Sequence, residues 1–476
     1  MNGHLADHKF YVPNENEDNA EKRLMRYIQN TFNVNFGSYE EWYKWTITNY
    51  ALFWEAVLKQ CDIKLSSPYH KIVEEDVPIA KIPKWFQGAR LNYAENCLKN
   101  GVDGHIAFIQ ANSPTEMHFY DYASLRQDVH RLASVMRLKF NVKSGDVVCA
   151  YVSNRYETAV AMLATTSLGA VWSSASVDFG AIGVIDRFSQ LSPKLFFTSD
   201  FAVYKKKIHS LEENINEIVE GLPTLEKVIV IPNTSTNIPT AYTQANKFCT
   251  FQETMNLFQS LADATVYFEQ VAFDHPLFVM FSSGTTGPPK GMIHTVGGTL
   301  LKHAEEHIIQ ANINPNDTIL FYTTCGWMMW NWLLTVLFTG ATIVLFDECP
   351  LDPDPHILLK IVQNTKSTIL GSGAKVFDEY TKMGSNFKSI YNLSSLRLLL
   401  STASPLKTST FDFLNDHIKP EVVIGSICGG TDIIGCFMGA TLNRPVVPGE
   451  CQHFYLGMNC STFNEQGIEV QDTREN

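Results

Sequence analysis

Residues 277–291 read Leu-Phe-Val-Met-Phe-Ser-Ser-Gly-Thr-Thr-Gly-Pro-Pro-Lys-Gly. The apolar run Leu277–Phe281 predicts a buried strand, and the polar residues after it predict a loop. That loop combines glycines, hydroxyl side chains and a lysine. Backbone N–H groups, hydroxyl donors and a cation are the groups that bind a polyphosphate. The stretch therefore predicts a phosphate-binding loop directly after a strand.

A Walker A loop is the first alternative for this stretch, and its spacing does not fit. The pattern G-x-x-x-x-G-K-[ST] requires a glycine at position 289 and a hydroxyl residue at position 291. The sequence has Pro289 and Gly291 at these positions. Pro288 and Pro289 also lack N–H groups, so that half of the loop cannot donate to a phosphate. The remaining alternative is a surface turn rich in Gly, Ser and Thr.

Short apolar runs alternate with helix-length segments on both sides of this loop. Val147–Val152 precedes a helical stretch, and the β-branched run Lys227–Ile231 follows two segments later. This alternation is typical of parallel βαβ units. We predict an α/β fold whose core has two subdomains with parallel sheets, at roughly 100–230 and 275–430. A surface excursion is predicted at 232–270, and an aromatic-rich helical segment before the core.

The composition favours a large globular protein. The chain has 476 residues, of which 45% are hydrophobic and 18% charged, and its formal net charge is -12. This balance argues against global disorder, and the length suggests two or three units. A strongly acidic chain repels nucleic acids and anionic membrane surfaces, so neither is expected as a partner.

The cysteines and the termini point to the cytosol. The sequence has ten cysteines and no C-x-x-C pair, which argues against a zinc site and for free thiols in a reducing compartment. No basic start followed by an apolar run indicates a signal peptide. The longest apolar stretch, Trp332–Phe346, is too short to span a bilayer and predicts a buried helix, turn and strand.

Two further motifs follow the loop along the chain. Thr402-Ala403-Ser404-Pro405 comes after the apolar run 398–400, and Ser426-Ile427-Cys428-Gly429-Gly430-Thr431-Asp432 comes after the run 422–425. Each follows a predicted parallel strand, where ligand-binding loops of α/β proteins lie. Gly-Gly-Thr-Asp alone is also compatible with a simple turn. The interpretation as ligand-binding loops depends on the order of the three motifs along the chain.

Together these motifs resemble those of the adenylate-forming superfamily, which includes acyl-CoA synthetases, peptide-synthetase adenylation domains and luciferases. The resemblance implies ATP, Mg²⁺ and coenzyme A as ligands, and an acyl-adenylate intermediate. It implies catalytic roles for Lys290, for Thr431 facing the α-phosphate and for Asp432 holding the metal. The nucleotide-binding residues that it implies are Ser282, Ser283, Gly284, Thr285, Thr286, Gly287, Lys290, Thr402, Ala403, Ser404, Pro405 and Thr431.

Finer features resemble one branch of that superfamily. Residues 85–96, 173–180 and 186–188 look like segments of acetyl-CoA synthetase relatives. Gly326-Trp327-Met328-Met329-Trp330-Asn331-Trp332 and Gly429-Gly430-Thr431-Asp432-Ile433 resemble the acetoacetyl-CoA synthetases, which are acetoacetate–CoA ligases. The resemblance covers about residues 35–460. It implies a role in cytosolic lipid and ketone-body metabolism.

The resemblance also implies a substrate pocket formed by Trp327, Trp330, Gly429 and Gly430. Acetyl-CoA synthetases have a tryptophan where this chain has Gly429, so the pocket is expected to admit an acid larger than acetate. Tyr204 and Lys207 lie where relatives bind the CoA 3′-phosphate, although a solvated lysine run at 205–207 is the alternative. His294 and His303 could be placed in a nucleophilic triad, but buried or surface histidines are the preferred interpretation.

The domain organisation follows from the same resemblance. We predict a mobile lead-in at 1–34, an acetyl-CoA-synthetase-type N-terminal segment at 35–100, an adenylation core at 101–460 and a polar tail at 461–476. The family's C-terminal lid domain, with its catalytic lysine, is not found in the sequence, nor is its ribose-binding aspartate. The expectation is a chain of weak or no ligase activity, as from a splice variant or an incomplete gene model. The alternatives are a non-catalytic nucleotide- or acid-binding protein and a ligase for another short-chain acid.

Overall fold

A computed structural model describes residues 10–233, 245–261, 265–282 and 287–470. Several of its α-helices begin at polar caps, such as Asn19, Ser38 and Asp121, whose side chains accept hydrogen bonds from N–H groups of the first turn. The α-helices are α1 (Ala20–Phe32), α2 (Tyr39–Thr48), α3 (Tyr50–Gln60), α4 (Tyr93–Leu98), α5 (Tyr122–Leu138), α6 (Tyr156–Ser167), α7 (Ala181–Phe188), α8 (Glu212–Gly221), α9 (Phe251–Asn256), α10 (Val296–Ala304), α11 (Met328–Thr335), α12 (Ile357–Thr365), α13 (Ala374–Met383), α14 (Phe387–Ile390) and α15 (Thr408–Phe413).

Short 3-10 turns occur at Ile79–Lys81, Ala245–Lys247, Leu257–Ser260 and Val336–Thr339, and π-helical turns at Glu305–Gln310 and Leu414–Ile418. The strands are β1 (Lys71–Val73), β2 (Trp85–Gln87), β3 (Arg90–Leu91), β4 (Ile106–Ala111), β5 (Met117–Asp121), β6 (Val147–Val152), β7 (Val171–Ser176), β8 (Leu195–Ser199), β9 (Phe201–Tyr204), β10 (Lys207–Ser210), β11 (Lys227–Ile231), β12 (Phe248–Thr250), β13 (Val271–Ala272), β14 (Pro276–Ser282), β15 (Lys290–Thr295), β16 (Thr318–Phe321), β17 (Thr342–Leu345), β18 (Ile369–Gly373), β19 (Leu398–Thr402), β20 (Val423–Ser426), β21 (Cys428–Gly430), β22 (Gly435–Gly439) and β23 (His453–Phe454).

Two seven-stranded sheets form the centre of the fold. The first sheet has the order β12-β11-β8-β6-β7-β14-β15, and the second has the order β20-β19-β18-β16-β17-β4-β5. All neighbouring strands in them pair in parallel except β14 with β15 and β4 with β5. The predicted α/β fold with two parallel sheets is confirmed.

The predicted division of these sheets along the chain is wrong. Strands β4 and β5 lie before residue 122 yet join the second sheet, where Phe108 pairs with Ile343. Strands β14 and β15 lie after residue 275 yet join the first sheet, where Phe278 pairs with Trp172. Apolar periodicity identifies a strand but not its neighbour, because pairing depends on long-range contacts between faces.

The N-terminal residues are also more ordered than predicted. The mobile lead-in is wrong for Ala20–Phe32, since this helix buries Leu24 and Ile28. Its Glu21 is buried as well and accepts hydrogen bonds from Trp42 Nε1 at 3.1 Å and Thr441 Oγ1 at 2.8 Å. Residues 1–9 lie outside the described part. The aromatic helices that follow pack on the core, as predicted.

Two other predicted segments can be compared with the structure. Within the excursion at 232–270, β12 pairs in parallel with β11 at the edge of the first sheet; residues 234–244 and 262–264 lie outside the described part. The stretch Trp332–Phe346 forms a buried helix, turn and strand, as predicted. None of the helices in the described ranges has the length and apolarity needed to cross a membrane.

Candidate active site

A cavity of about 400 Å³ opens at the carboxyl ends of β19 and β20 in the second sheet. Ligand sites of parallel α/β sheets lie at such strand ends. The cavity is lined by residues of four chain segments, near Trp327, Thr402, Ser426 and Gly449. Its lining residues are Trp327, Met328, Met329, Thr402, Ala403, Ser404, Pro405, Ser426, Ile427, Cys428, Gly429, Gly430, Thr431, Gly435, Cys436, Met438, Gly449 and Cys451.

The segment Thr402–Pro405 forms one wall of this cavity. Thr402 ends β19 and is buried, whereas Ala403, Ser404 and Pro405 are exposed towards the opening. Ala403 has a φ of 71°, a left-handed conformation that is uncommon for a non-glycine residue. Such backbone geometry turns the chain sharply away from the strand and along the cavity. The structure therefore brings this predicted adenine-lining segment together with Thr431.

Gly429 lines the cavity, but the reason for its glycine differs from the predicted one. It lies in β21, which pairs with β22. A Cβ at this position would overlap the carbonyl oxygen of Gly435 and would lie 2.7 Å from the Cys436 Cα. The close strand pairing thus excludes any side chain at this position. An indole therefore cannot replace Gly429 on this backbone without separating the two strands.

The two predicted pocket tryptophans have different environments. Trp327 is half-buried, precedes α11 and lines the cavity. Trp330 is fully buried, stacks with Trp172 at 6.4 Å and donates from Nε1 to Asn154 Oδ1 at 2.9 Å. The prediction that Trp330 lines the substrate pocket is therefore wrong. The backbone explains the difference, because Trp327 is the extended N-cap residue of α11 whereas Trp330 lies within the helix.

The thiols and thioethers of the cavity wall were not predicted from the sequence. Met328, Cys436, Met438 and Cys451 lie there beside Gly429. Burial raises the pKa of both the Cys436 and the Cys451 thiols, so they stay protonated at neutral pH. This part of the wall is consequently uncharged and weakly polar. The methionines adjacent to Trp327 were the one available sequence signal for it.

Thr431 and Asp432 lie where the cavity meets solvent. Thr431 is half-buried and lines the cavity, and Asp432 is exposed. Within the described ranges, no side chain or backbone group forms a hydrogen bond or ion pair with the Asp432 carboxylate. Magnesium usually takes one or two protein carboxylates and completes its shell with water and substrate phosphates. A single accessible carboxylate at this rim fits that pattern, and no cluster of three metal-binding side chains is found among the described residues.

The predicted phosphate loop connects the two antiparallel strands at the edge of the first sheet. Ser282 ends β14 and pairs with Lys290, which begins β15. Lys290 is exposed, and Gly287 has a φ of 94°, which permits the tight return of the chain. Ser283, Gly284, Thr285 and Thr286 lie outside the described residues. Neither Ser282 nor Lys290 lines the cavity itself.

His294 links this hairpin to the Thr431 segment. It lies in β15 and is buried, and burial lowers its pKa to about 4, with His303 adding to the effect. The Thr431 backbone and the Asp432 charge raise the pKa of His294, against the effect of burial. His303 is buried in α10. Both are core histidines, and neither hydrogen-bonds a serine or cysteine in the described residues.

Tyr204 and Lys207 lie at a different place. They pair with each other at the tip of the β9–β10 hairpin, and both are exposed. The neighbouring Lys205 forms an ion pair with Asp352 at 2.7 Å. Neither residue lines the cavity, and a role in binding coenzyme A stays a prediction.

Comparison with known proteins identifies the family of this chain. The family model described as "AMP-binding enzyme" matches residues 97–468, and the one described as "Acetyl-coenzyme A synthetase N-terminus" matches residues 39–97. The chain belongs to the AMP-binding enzyme family. It is an AMP-forming acid–CoA ligase by its similarity to the curated proteins below.

Two curated relatives and one solved structure illustrate the similarity. The acetoacetyl-CoA synthetase of Caenorhabditis elegans is 45% identical over 98% of this chain and 67% of its own length. That of Gallus gallus is 41% identical over 97% of this chain and 69% of its own length. The structure of acetoacetyl-CoA synthetase from Streptomyces lividans superimposes with a TM-score of 0.89 at 33% identity, covering 97% of this chain and 71% of that one.

Proposed function

We propose that this ligase activates acetoacetate with Mg·ATP and transfers the acyl group to coenzyme A. In the first step the carboxylate oxygen attacks the α-phosphorus, which gives acetoacetyl-adenylate and pyrophosphate. In the second step the CoA thiol attacks the acyl carbon and AMP leaves. The observation that carries the proposal is the small cavity with Thr431 at its rim and an uncharged sulfur-rich wall inside. The relatives named acetoacetyl-CoA synthetase support the choice of acid.

The first step joins two anions, so the protein contributes positioning and charge neutralisation. We assign the adenine to the wall Thr402–Pro405 and contact with the α-phosphate to Thr431. Lys290 and the loop from Ser282 to Gly287 would hold the β- and γ-phosphates. Asp432 would hold Mg²⁺, which neutralises phosphate charge when it is bound.

The size of the cavity limits the acid. At about 400 Å³ it must hold the acyl group beside part of the nucleotide. The half-buried Trp327 and the buried Met329 and Cys436 are among the residues that line it. A short acid with one carbonyl fits such a space, whereas a long alkyl chain would overlap the wall. We therefore propose a short-chain acid specificity.

We also propose the domain limits and the setting of the reaction. The helical segment 35–100 and the core 101–460 are taken as the two units of the described chain, with Tyr204 and Lys207 contacting the nucleotide end of coenzyme A. Ten cysteines and an acidic charge suit the cytosol, where we place a role in lipid and ketone-body metabolism.

Calorimetric titration of residues 1–476 tests the proposal. Mg·ATP is titrated first, and then acetoacetate, acetate and hexanoate are each titrated in the presence of a non-hydrolysable ATP analogue and Mg²⁺. We expect acetoacetate to bind more tightly than acetate, and hexanoate not to bind. Asp432→Ala is the control, because it should weaken Mg·ATP binding without altering the cavity wall. Equal affinities for the three acids would contradict the acid assignment.

A further inference from the structure

A group of buried charged side chains lies beneath the Asp432 segment. Lys302 of α10 places its Nζ 2.7 Å from Glu305 Oε2 and 3.1 Å from Glu306 Oε1. Their exposed fractions are 8% for Lys302, 0% for Glu305 and 2% for Glu306. Buried ion pairs cost desolvation free energy and often contribute little net stability. The presence of this charged group in the core therefore needs an explanation other than stability.

The charges of this group are partly balanced. Burial lowers the pKa of the Lys302 ammonium, but attraction by Glu305 and Glu306 outweighs it and the net pKa is raised. Burial raises the pKa of Glu305 and so favours its neutral form, whereas Lys302 lowers this pKa. Because Nζ and the Glu305 carboxylate are at hydrogen-bond distance, we take the ionised pair as the state of the folded protein.

Two side chains of this region reach the backbone that follows Asp432. Glu306 accepts the Cys436 N–H at Oε1, at 2.7 Å, and the Trp332 Nε1–H at Oε2, also at 2.7 Å. His303 Nε2 lies 2.6 Å from the carbonyl oxygen of Ile434. The peptide groups on both sides of Gly435 are thus bound by two side chains from one helix and its π-helical continuation.

The protonation of His303 fits this contact. Burial lowers its pKa to about 4, so the imidazole is neutral at physiological pH. A carbonyl oxygen can only accept, so the single proton lies on Nε2 and donates to Ile434. The other nitrogen, Nδ1, lies 2.8 Å from the Thr335 hydroxyl, which can donate to it.

The loop backbone lies directly against these side chains. A Cβ at Gly435 would overlap Glu306 Oε1 and would lie 3.2 Å from Lys302 Cγ. Ile434 has a φ of 49°, in the left-handed region that β-branched residues rarely adopt. A conformation of this kind persists only where its surroundings hold it. Glu306 and His303 are the side chains that do so here.

We propose that Glu306 and His303 are positioning residues, which fix the Thr431–Cys436 backbone so that Thr431 and Asp432 face the bound nucleotide. Lys302 lies against both buried carboxylates and partly balances their charge. The inference rests on the proposed function, since it assumes that Asp432 serves a metal-bound nucleotide. It assigns a purpose to side chains that do not line the cavity.

Glu305 offers a matched control for Glu306. Both carboxylates are buried, adjacent in sequence and bound to Lys302, but Glu305 accepts from Gln310 Nε2 at 2.6 Å and, among the described residues, has no hydrogen bond to residues 431–436. Glu306→Gln replaces one carboxylate oxygen by an NH₂ group. One oxygen then remains for the two N–H donors, and the NH₂ group faces the second of these donors. Glu305→Gln perturbs the same ion group without touching residues 431–436.

Two measurements on residues 1–476 compare these variants with the wild type. The first is amide hydrogen exchange of the peptide covering residues 431–438 without ligand. The second is ATP affinity with and without Mg²⁺. We expect Glu306→Gln to speed exchange in this peptide and to reduce the Mg²⁺-dependent gain in affinity about 10-fold, as loss of a buried hydrogen bond implies. We expect Glu305→Gln to change neither, although both variants lower stability.

The outcomes separate this inference from the proposed function. If both variants behave alike in both measurements, the positioning role is wrong. If the wild type gains no ATP affinity from Mg²⁺, the metal role of Asp432 is wrong, and hydrogen exchange alone then decides whether Glu306 holds the loop. Should Glu306→Gln fail to fold, His303→Phe removes the donor to Ile434 while keeping a ring of similar size. Unchanged exchange at 431–438 in that variant would overturn the inference.

Discussion

The two sides of the candidate site are built differently, although one chain segment connects them. Lys290 lies at the exposed start of β15, and the same segment continues through α10 to the buried Glu306. On the Lys290 side, the lysine side chain is exposed to solvent. On the Asp432 side, buried side chains hold the backbone from below. Substitutions on the Lys290 side should therefore affect only ligand binding. Substitutions on the Asp432 side should affect both stability and ligand binding.

The largest effect is expected from Gly429→Trp on the Asp432 side. The new Cβ would overlap the Gly435 carbonyl in the paired strand, so β21 and β22 must separate. We expect the free energy of unfolding to fall by about 3 kcal/mol or more. Gly430→Ala is the matched control, because its Cβ would come no closer than 3.7 Å to another atom, Asp432 Oδ2. Urea denaturation of both variants measures this, and equal stability of the two would show that the strands do not pack as described.

The second prediction concerns pH. Burial lowers the pKa of His303 from 6.5 to about 4, so the unfolded chain binds a proton in this window that the folded protein does not. Stability is therefore lost as the pH falls from about 6.5 to about 4. One such group contributes up to about 1.4 kcal/mol per pH unit. His303→Gln should make the pH dependence of the free energy of unfolding shallower by that amount, and an unchanged slope in denaturation series would contradict it.

The third prediction tests the Lys290 side. Lys290 is exposed, and no ion pair holds it among the described residues. Lys290→Ala should weaken Mg·ATP binding by about 1.5–3 kcal/mol, the value of one charge-assisted contact, and leave the unfolding curve unchanged. Asp432→Ala should weaken binding similarly. Calorimetry measures the binding and denaturation measures the stability of the same samples. Wild-type affinity in both variants would contradict the site assignment.

The smallest effect is expected from a comparison of two tryptophans. Trp330→Phe leaves the buried Asn154 amide without its indole partner and should cost about 1–2 kcal/mol of stability, with no change in acid binding. Trp327→Phe alters the cavity wall and should change acetoacetate affinity with little loss of stability. The reverse pattern, with acid binding sensitive to Trp330, would restore the sequence-based assignment of the pocket.

Much of the fold could be predicted because apolar periodicity is local. Runs such as Val147–Val152 and Leu277–Phe281 are strands because every residue in them can be buried between helices. The motif order also placed Thr402–Pro405 and Thr431 at neighbouring strand ends, and the structure brings them to one cavity. The family was predicted from these motifs and is confirmed by the comparisons.

Sequence alone could not decide which sheet a strand joins, since β4 and β14 pair with strands more than a hundred residues away. It also could not show why Gly429 is a glycine, because the reason is the Gly435 carbonyl across the strand pair. The charged side chains at 302, 305 and 306 look like an exposed helical face, yet they are buried beneath the loop. Local chemistry determined the motifs of this protein, and long-range packing decided which residues hold them in place.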